Sequence, residues 1–207
     1  NKVYSFINIS GLAAGMAATM MIGLWIADEL SYDNHFKNKN TIAQVYQSQT
    51  INNTIGTGPA IPMPLEFALR ENHNDNFEHI IMASWEQSRY LKYGETNIYI
   101  LGNAMQEGIA DMLNFEIIEG ERNSLKEEKS IMSAETTSKT LFGSESAIGK
   151  IIKLNNTDDL IVTTVYKDIP DNNTFSGMEY LIPCIFYITT HRWLARVNAS
   201  CRNKSGQ

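Results

Sequence analysis

The run from Gly143 to Lys150, GSESAIGK, comes nearest to a chemical motif. A phosphate-cradling loop needs G-x-x-x-x-G-K-[ST]: backbone N–H groups wrap the phosphates, the lysine reaches them, and the hydroxyl holds magnesium. Here five residues separate Gly143 from Gly149, and Ile151 occupies the hydroxyl position. A helix stop at Gly143 followed by a turn fits the run better. The histidines, His35, His73, His79 and His191, form no i, i+4 pair, and neither G-x-S-x-G nor H-E-x-x-H occurs. His79 falls in an apolar run, where a packed side chain is expected rather than a base. Asp28, Glu29, Asp33 and His35 crowd together as a metal cluster would, yet a solvated helix end uses the same residues and nothing else converges on them. Glu127-Glu128 lies in a charged loop. Cys184 and Cys201 lack C-x-x-C spacing and a histidine pair, which argues against zinc; a disulfide between them stays open, conditional on an oxidising compartment. Several Asn-x-Ser/Thr triplets occur, for example at Asn52, Asn155 and Asn172, as an Asn-rich chain produces by chance. The expectation is a chain with no catalytic residue, no cofactor and no metal.

With chemistry set aside, the stretch organising the chain is 3–27, VYSFINISGLAAGMAATMMIGLWIA, which contains no charged residue. A helix of about 25 residues, rising about 1.5 Å per residue, crosses a hydrocarbon core about 30 Å thick with some tilt. A signal peptide would have a shorter apolar core and a small-residue cleavage site, and Trp25-Ile26-Ala27-Asp28 is a poor one. A buried core helix would show a polar stripe, and none is wide enough here. Its strongly apolar residues supply on the order of −3 kcal/mol towards insertion, which Ser5, Asn8, Ser10 and the glycines erode, so the span is expected to lean on other protein. Gly11, Gly15, Thr19 and Gly23 recur every four residues and form the candidate helix-packing face; Trp25 is the candidate interfacial anchor. Orientation is weakly encoded, since Lys2 alone precedes the span.

The remaining residues suffice for one domain with its own core. A net charge of −6 and a pI of about 5.2 argue against nucleic acid as a partner. Residues 42–51, 77–85, 89–93 and 97–101 read as strands, with a turn at Gly94-Glu95; 52–58 reads as loop. Pro64 opens a helix; 104–113 has helical spacing; Ser133 is a candidate N-cap for a helix ending at Gly143. Residues 151–154 and 160–166 read as a hairpin around 155–159, and 180–183 closes the ordered pattern. The class is α+β, with more strand than helix.

Several segments, in order, resemble one family. NxxGLAAG in the span, DELSYDNHFKNKN just after it, TGPAIPMPLEFAL (57–69), LNFEIIEG (113–120), TLFGSESAIGKIIKL (140–154) and VTTVYKDIP (162–170) are similar to the first membrane helix and following domain of MacB/FtsX-type ABC transporter permeases, especially those of Bacteroidetes. Thr164 departs from the glycine usual at its position, which bears on a local turn. The resemblance implies a non-catalytic permease subunit of the bacterial inner membrane, with a mixed α/β MacB-like core domain in the periplasm. It further implies a separate cytoplasmic ABC ATPase, a second permease copy or homologue as partner, and motion carried across the membrane for extrusion of an antimicrobial-peptide or lipoprotein class of substrate. The expected layout is a transmembrane helix at 1–29, the incomplete core domain at 30–183, and an atypical tail at 184–207, where the resemblance stops; the chain is read as a fragment. The competing readings are a single-span envelope receptor or binding module, and a membrane-anchored enzyme, for which no motif speaks.

Overall fold

The computed structural model describes residues 2–186 and the backbone of 196–201. Helix α1 (Lys2–Ser31) runs for 30 residues, and none of them is buried. At about 1.5 Å per residue it is about 45 Å long, enough to cross a bilayer. Its apolar side chains, Phe6, Leu12, Ile22 and Leu24 among them, are exposed. The helix and its exit to His35 form one compact unit with Pro170–Ser176.

The second unit is built on strands. In chain order its elements are β1 (Ile42–Gln44), β2 (Gln47–Ile51), β3 (Thr54–Gly58), α2 (Pro64–His73), β4 (Phe77–Ala83), β5 (Gln87–Tyr93), β6 (Thr96–Met105), α3 (Ile109–Met112), β7 (Ile117–Gly120), β8 (Ser130–Ala134), α4 (Glu135–Phe142), β9 (Ile151–Leu154), β10 (Asp158–Tyr166), β11 (Tyr180–Pro183) and β12 (Arg196–Cys201). Six of these strands close on themselves. β6 pairs with β11 in parallel, β11 with β8 antiparallel, β8 with β10 in parallel, β10 with β9, β9 with β5, and β5 returns to β6. Closure removes the free edges that would otherwise offer unpaired N–H and C=O groups. Alternation places Leu91, Ile152, Leu160, Val162 and Ile182 inside, and Leu141 and Phe142 of α4 join them. Phe142 meets Tyr93 edge-on with ring centroids 4.7 Å apart.

β6 also reaches outwards. Its end pairs with β4 at Ala83 and Met105, and β12 and β1 follow as a three-strand wing. The wing has its own small core, Ile61, Ile80, Met82 and Cys184, against which Leu65 and Leu69 of α2 pack one turn apart. β2 and β3 form a separate two-stranded ribbon.

Several readings of the sequence need correction. The strand expected over 42–51 is two strands, because the chain passes at 45–46 from β12 as partner to β3. The loop expected at 52–58 contains β3, entered through Asn52 and Asn53, both with positive φ (50° and 61°), as a type I′ hairpin turn requires. The helical spacing at 104–113 belongs partly to β6, which keeps Ala104 and Met105 because β11 and β4 pair there; only Ile109–Met112 is helical. Ser133 lies in β8, not at a cap; Ala134 precedes the helix, and Ser133 Oγ bonds to the Ala134 carbonyl. Thr164 stands within β10 beside a register shift, not in a turn. The ordered pattern also continues past Pro183 into β12. The helix at Pro64 and the turn at Gly94 stand where the sequence puts them; the strand expected at 77–85 ends at Ala83, and the hairpin of β9 and β10 has a tighter turn than expected, since β10 begins at Asp158.

Candidate functional site

The small-residue face of α1 lies open. A Cβ built on Gly11, Gly15 or Gly23 would meet nothing within 4 Å. The Thr19 hydroxyl is turned back onto the Gly15 carbonyl at 2.9 Å, which leaves its methyl on the helix surface. Trp25, 65% exposed, stands near the C-terminal end.

The helix exit is densely hydrogen-bonded. Asp33 adopts the left-handed conformation (φ 59°), which few residues other than Gly, Asn and Asp adopt readily. Its N–H donates to the Asn172 carbonyl at 3.1 Å. Its two carboxylate oxygens accept from the Thr174 N–H and hydroxyl, each at 2.8 Å. Asn172 Nδ2 donates to Ser31 Oγ at 3.0 Å, and Ser31 Oγ caps the Asp28 carbonyl at 2.8 Å. These bonds engage Ser31 and Asp33 of the polar run after the span; among the described residues no three His, Cys, Asp or Glu side chains converge as a metal site.

The Gly143–Lys150 run is a turn. Gly143 ends α4 with φ 67°, and Gly149 has φ 79°. Lys150 Nζ bonds Glu145 at 2.5 Å and lies 5.0 Å from the Phe142 ring centroid. The hydrogen bond to Glu145 holds the Lys150 ammonium above its ordinary range and the Glu145 carboxyl below its own. The lysine thus lies over the Tyr93 and Phe142 rings. His79 is half-buried beside Arg70, Glu107 and Asp111 in a shallow polar cleft, and Glu127 and Glu128 are exposed. Cys184 is buried with a free thiol pushed up to about 11 by burial and by the Glu66 charge. The side chain of Cys201 and the whole of His191 lie outside the described residues.

The motif segments outside the helix are structural joints. Phe115 stacks on Tyr166 with ring centroids 5.1 Å apart, and the buried Tyr166 hydroxyl donates to the Met178 carbonyl at 2.9 Å. Burial, with Asp168 and Glu179 nearby, holds that phenol far above its ordinary range. Gly120 (φ 89°) passes so close to β10 that a Cβ would stand 2.1 Å from the Thr163 carbonyl oxygen. Thr164 bonds the Glu121 carbonyl and Ser124 Oγ, filling the space beside that crossing. Asp168 accepts from the Thr136 N–H and hydroxyl at the start of α4. Three joints carried no signal in the sequence. Arg122 donates to the Ala110 and Phe115 carbonyls at 2.9 and 2.8 Å, Gly102 faces the Tyr180 ring, and Glu66 is buried against Arg70.

The model of the MacB-like periplasmic core domain matches residues 5–203. The chain belongs to the MacB-like periplasmic core domain family. The match continues past Pro183, where the motif resemblance ended. Solved structures share the MacB-like fold. A domain of a candidate permease from Porphyromonas gingivalis aligns at TM-score 0.67 and 14% identity, covering 83% of this chain and 77% of that one. The periplasmic region of MacB from Actinobacillus actinomycetemcomitans aligns at 0.64 and 12% identity, covering 86% and 82%. The extracellular domain of the noncanonic ABC-type transporter YknZ from Gram-positive bacteria aligns at 0.57 and 14%, covering 79% and 83%. No curated protein sequence matches the chain.

Proposed function

We propose that this chain is part of the transmembrane subunit of an ABC transporter, anchored in the bacterial inner membrane by residues 1–29 and presenting its MacB-like domain to the periplasm. The reading rests above all on one conjunction: a family match over residues 5–203 that begins inside a helix apolar along its length and exposed on every side. The subunit does no covalent chemistry. A separate cytoplasmic ATPase drives it, a second permease copy packs beside it, and Gly11, Gly15, Thr19 and Gly23 form the face on which α1 meets another membrane helix. Small residues let helix backbones approach where lipid offers no competing hydrophobic gain. Trp25 sets the depth of the span at the membrane surface. The cycle converts ATP hydrolysis into movement of the periplasmic domain for extrusion of an antimicrobial-peptide or lipoprotein class of substrate.

The test is expression of the gene product with its neighbouring genes. The expected result is resistance to carbonate extraction and co-purification with an ATPase, the complex weakened by Gly15→Leu with membrane insertion unchanged. Release by carbonate, or an intact product that binds no ATPase, would overturn the reading.

A further inference from the structure

The bonds at the helix exit are a fastening, not merely a cap. We infer that Pro170–Ser176 is a clip that locks onto the end of α1, so that the helix exit and the connection between β10 and β11 move as one body. The clip has its own internal hydrogen bonds. Asn173, 1% exposed, bonds the Pro170 carbonyl through Nδ2 and accepts the Phe175 N–H at 2.8 Å. The Ser176 N–H returns to the Asn173 carbonyl at 3.2 Å. This internal frame turns the Asn172 carbonyl and side chain and both donors of Thr174 outwards, and the helix exit takes all four. Two of those bonds end on a carboxylate, and charge-assisted bonds are about twice as strong as neutral ones. Asp33 holds a backbone conformation disfavoured for most side chains, and the clip's bonds to both its N–H and its carboxylate fix it there.

The mechanical consequence follows from chain continuity. Without the clip, α1 would hand its movement to the rest of the chain through the single crossing at 35–36. With the clip fastened, the compact unit containing α1 is joined to the remainder at 35–36, 169–170 and 176–177. A displacement of the helix therefore reaches β10 and β11, two strands of the closed ring, as well as β1. This holds whatever drives the helix, so the inference stands apart from the transporter reading.

Amide hydrogen exchange on the 207-residue chain in lipid nanodiscs tests it. The Thr174 amide, donor to Asp33 Oδ1, is expected to be protected. Asp33→Gly keeps the left-handed backbone accessible but removes the carboxylate; it should speed exchange across 172–176 at least tenfold and leave β8 unchanged. Asp33→Asn, which keeps one acceptor, should fall between. A Thr174 amide already exchanging at loop rates, or unchanged by Asp33→Gly, overturns the clip. Should Asp33→Gly fail to fold, a second measurement decides. In a Cys184→Ala, Cys201→Ser background, Ser31→Cys with Asn172→Cys should be bridged efficiently by a short bis-methanethiosulfonate reagent; no bridging overturns the inference. Both readouts are blind to any ATPase, so their failure is distinct from failure of the transporter assignment.

Discussion

At the scale of single residues, two glycines and one cysteine make the sharpest claims. A Cβ on Gly120 would meet the Thr163 carbonyl at 2.1 Å, and one on Gly102 would meet the Tyr180 ring at 2.4 Å and its carbonyl oxygen at 2.5 Å. Neither obstacle can swing aside freely, since backbone is involved at both. Gly120→Ala and Gly102→Ala should each cost on the order of 3 kcal/mol, while Gly56→Ala, in open space, should change stability by less than about 0.5 kcal/mol. Urea midpoints of the three variants check the contrast. Cys184 makes a claim about pH. Its thiol titrates near 9 when the chain is unfolded and is pushed to about 11 in the fold, chiefly by burial. Between those values the folded state holds a proton that the unfolded state has lost, so stability is full below about pH 9 and falls as pH rises towards 11. Cys184→Ala should flatten that part of the profile by about 2 kcal/mol, seen as a smaller shift in melting temperature between pH 8.5 and 10.5. Equal slopes in the two proteins would mean that the thiol is not buried as described.

At the scale of elements, what the sequence revealed depended on where each element finds its partners. Strands with clear alternation and punctuation, such as β5, β9 and β10, were legible because local pattern and tertiary role agree. The start of α2 was legible from Pro64, whose missing N–H costs nothing at a helix start. The 104–113 segment misled because a strand buried against β4 and β11 shows no clean alternation, and a buried apolar run fits either period. Asn52-Asn53 reads as loop because the turn lacks glycine, though Asn tolerates positive φ nearly as well; the same chemistry recurs at Asn155-Asn156. The Asn-x-Ser/Thr triplets at Asn52 and Asn155 are thus turns, and the one at Asn172 belongs to the clip. The cap of α4 was invisible for another reason: Ser133 looked like the local N-cap, but Asp168, 32 residues from Thr136, supplies it. Asp168→Ala should lower stability by about 1 kcal/mol, the usual worth of a helix cap, and Ser133→Ala should not remove a cap at all. Chemical denaturation followed by far-ultraviolet circular dichroism separates the two; a larger loss from Ser133→Ala through capping would contradict the assignment.

At the scale of the whole molecule, the six-stranded ring is closed by joints of unequal strength. β5 pairs with β6 over seven residue pairs from Gln87–Gly102 to Tyr93–Thr96, but with β9 only at Leu91–Leu154 and Lys92–Lys153. Asn155 extends this narrow seam through its N–H to the Tyr90 carbonyl at 2.8 Å and its Oδ1 to the Tyr90 N–H at 3.2 Å. Around the other side, parallel pairing of β6 with β11 and of β8 with β10 ties together segments far apart in sequence, and these strands carry the deepest burial. The β8–β11 joint is as short, at Tyr180–Ser133 and Leu181–Met132, but both of its strands are buried throughout, whereas β5 and β9 alternate between buried and exposed residues. Local opening favours the solvent-exposed joint, so the ring should part at the β5–β9 seam first. Native-state hydrogen exchange should find the Tyr90 and Asn155 amides opening at least about 30-fold more readily than those of β8, a difference of about 2 kcal/mol. Asn155→Gly keeps the positive φ and deletes the Oδ1 acceptor, so it should widen the gap at Tyr90 while leaving β8 as it was. Equal protection across the seam and the centre would mean that the ring opens only by global unfolding, and that no weak joint is available through which β10 and β11, driven from the helix exit, could shift against β5.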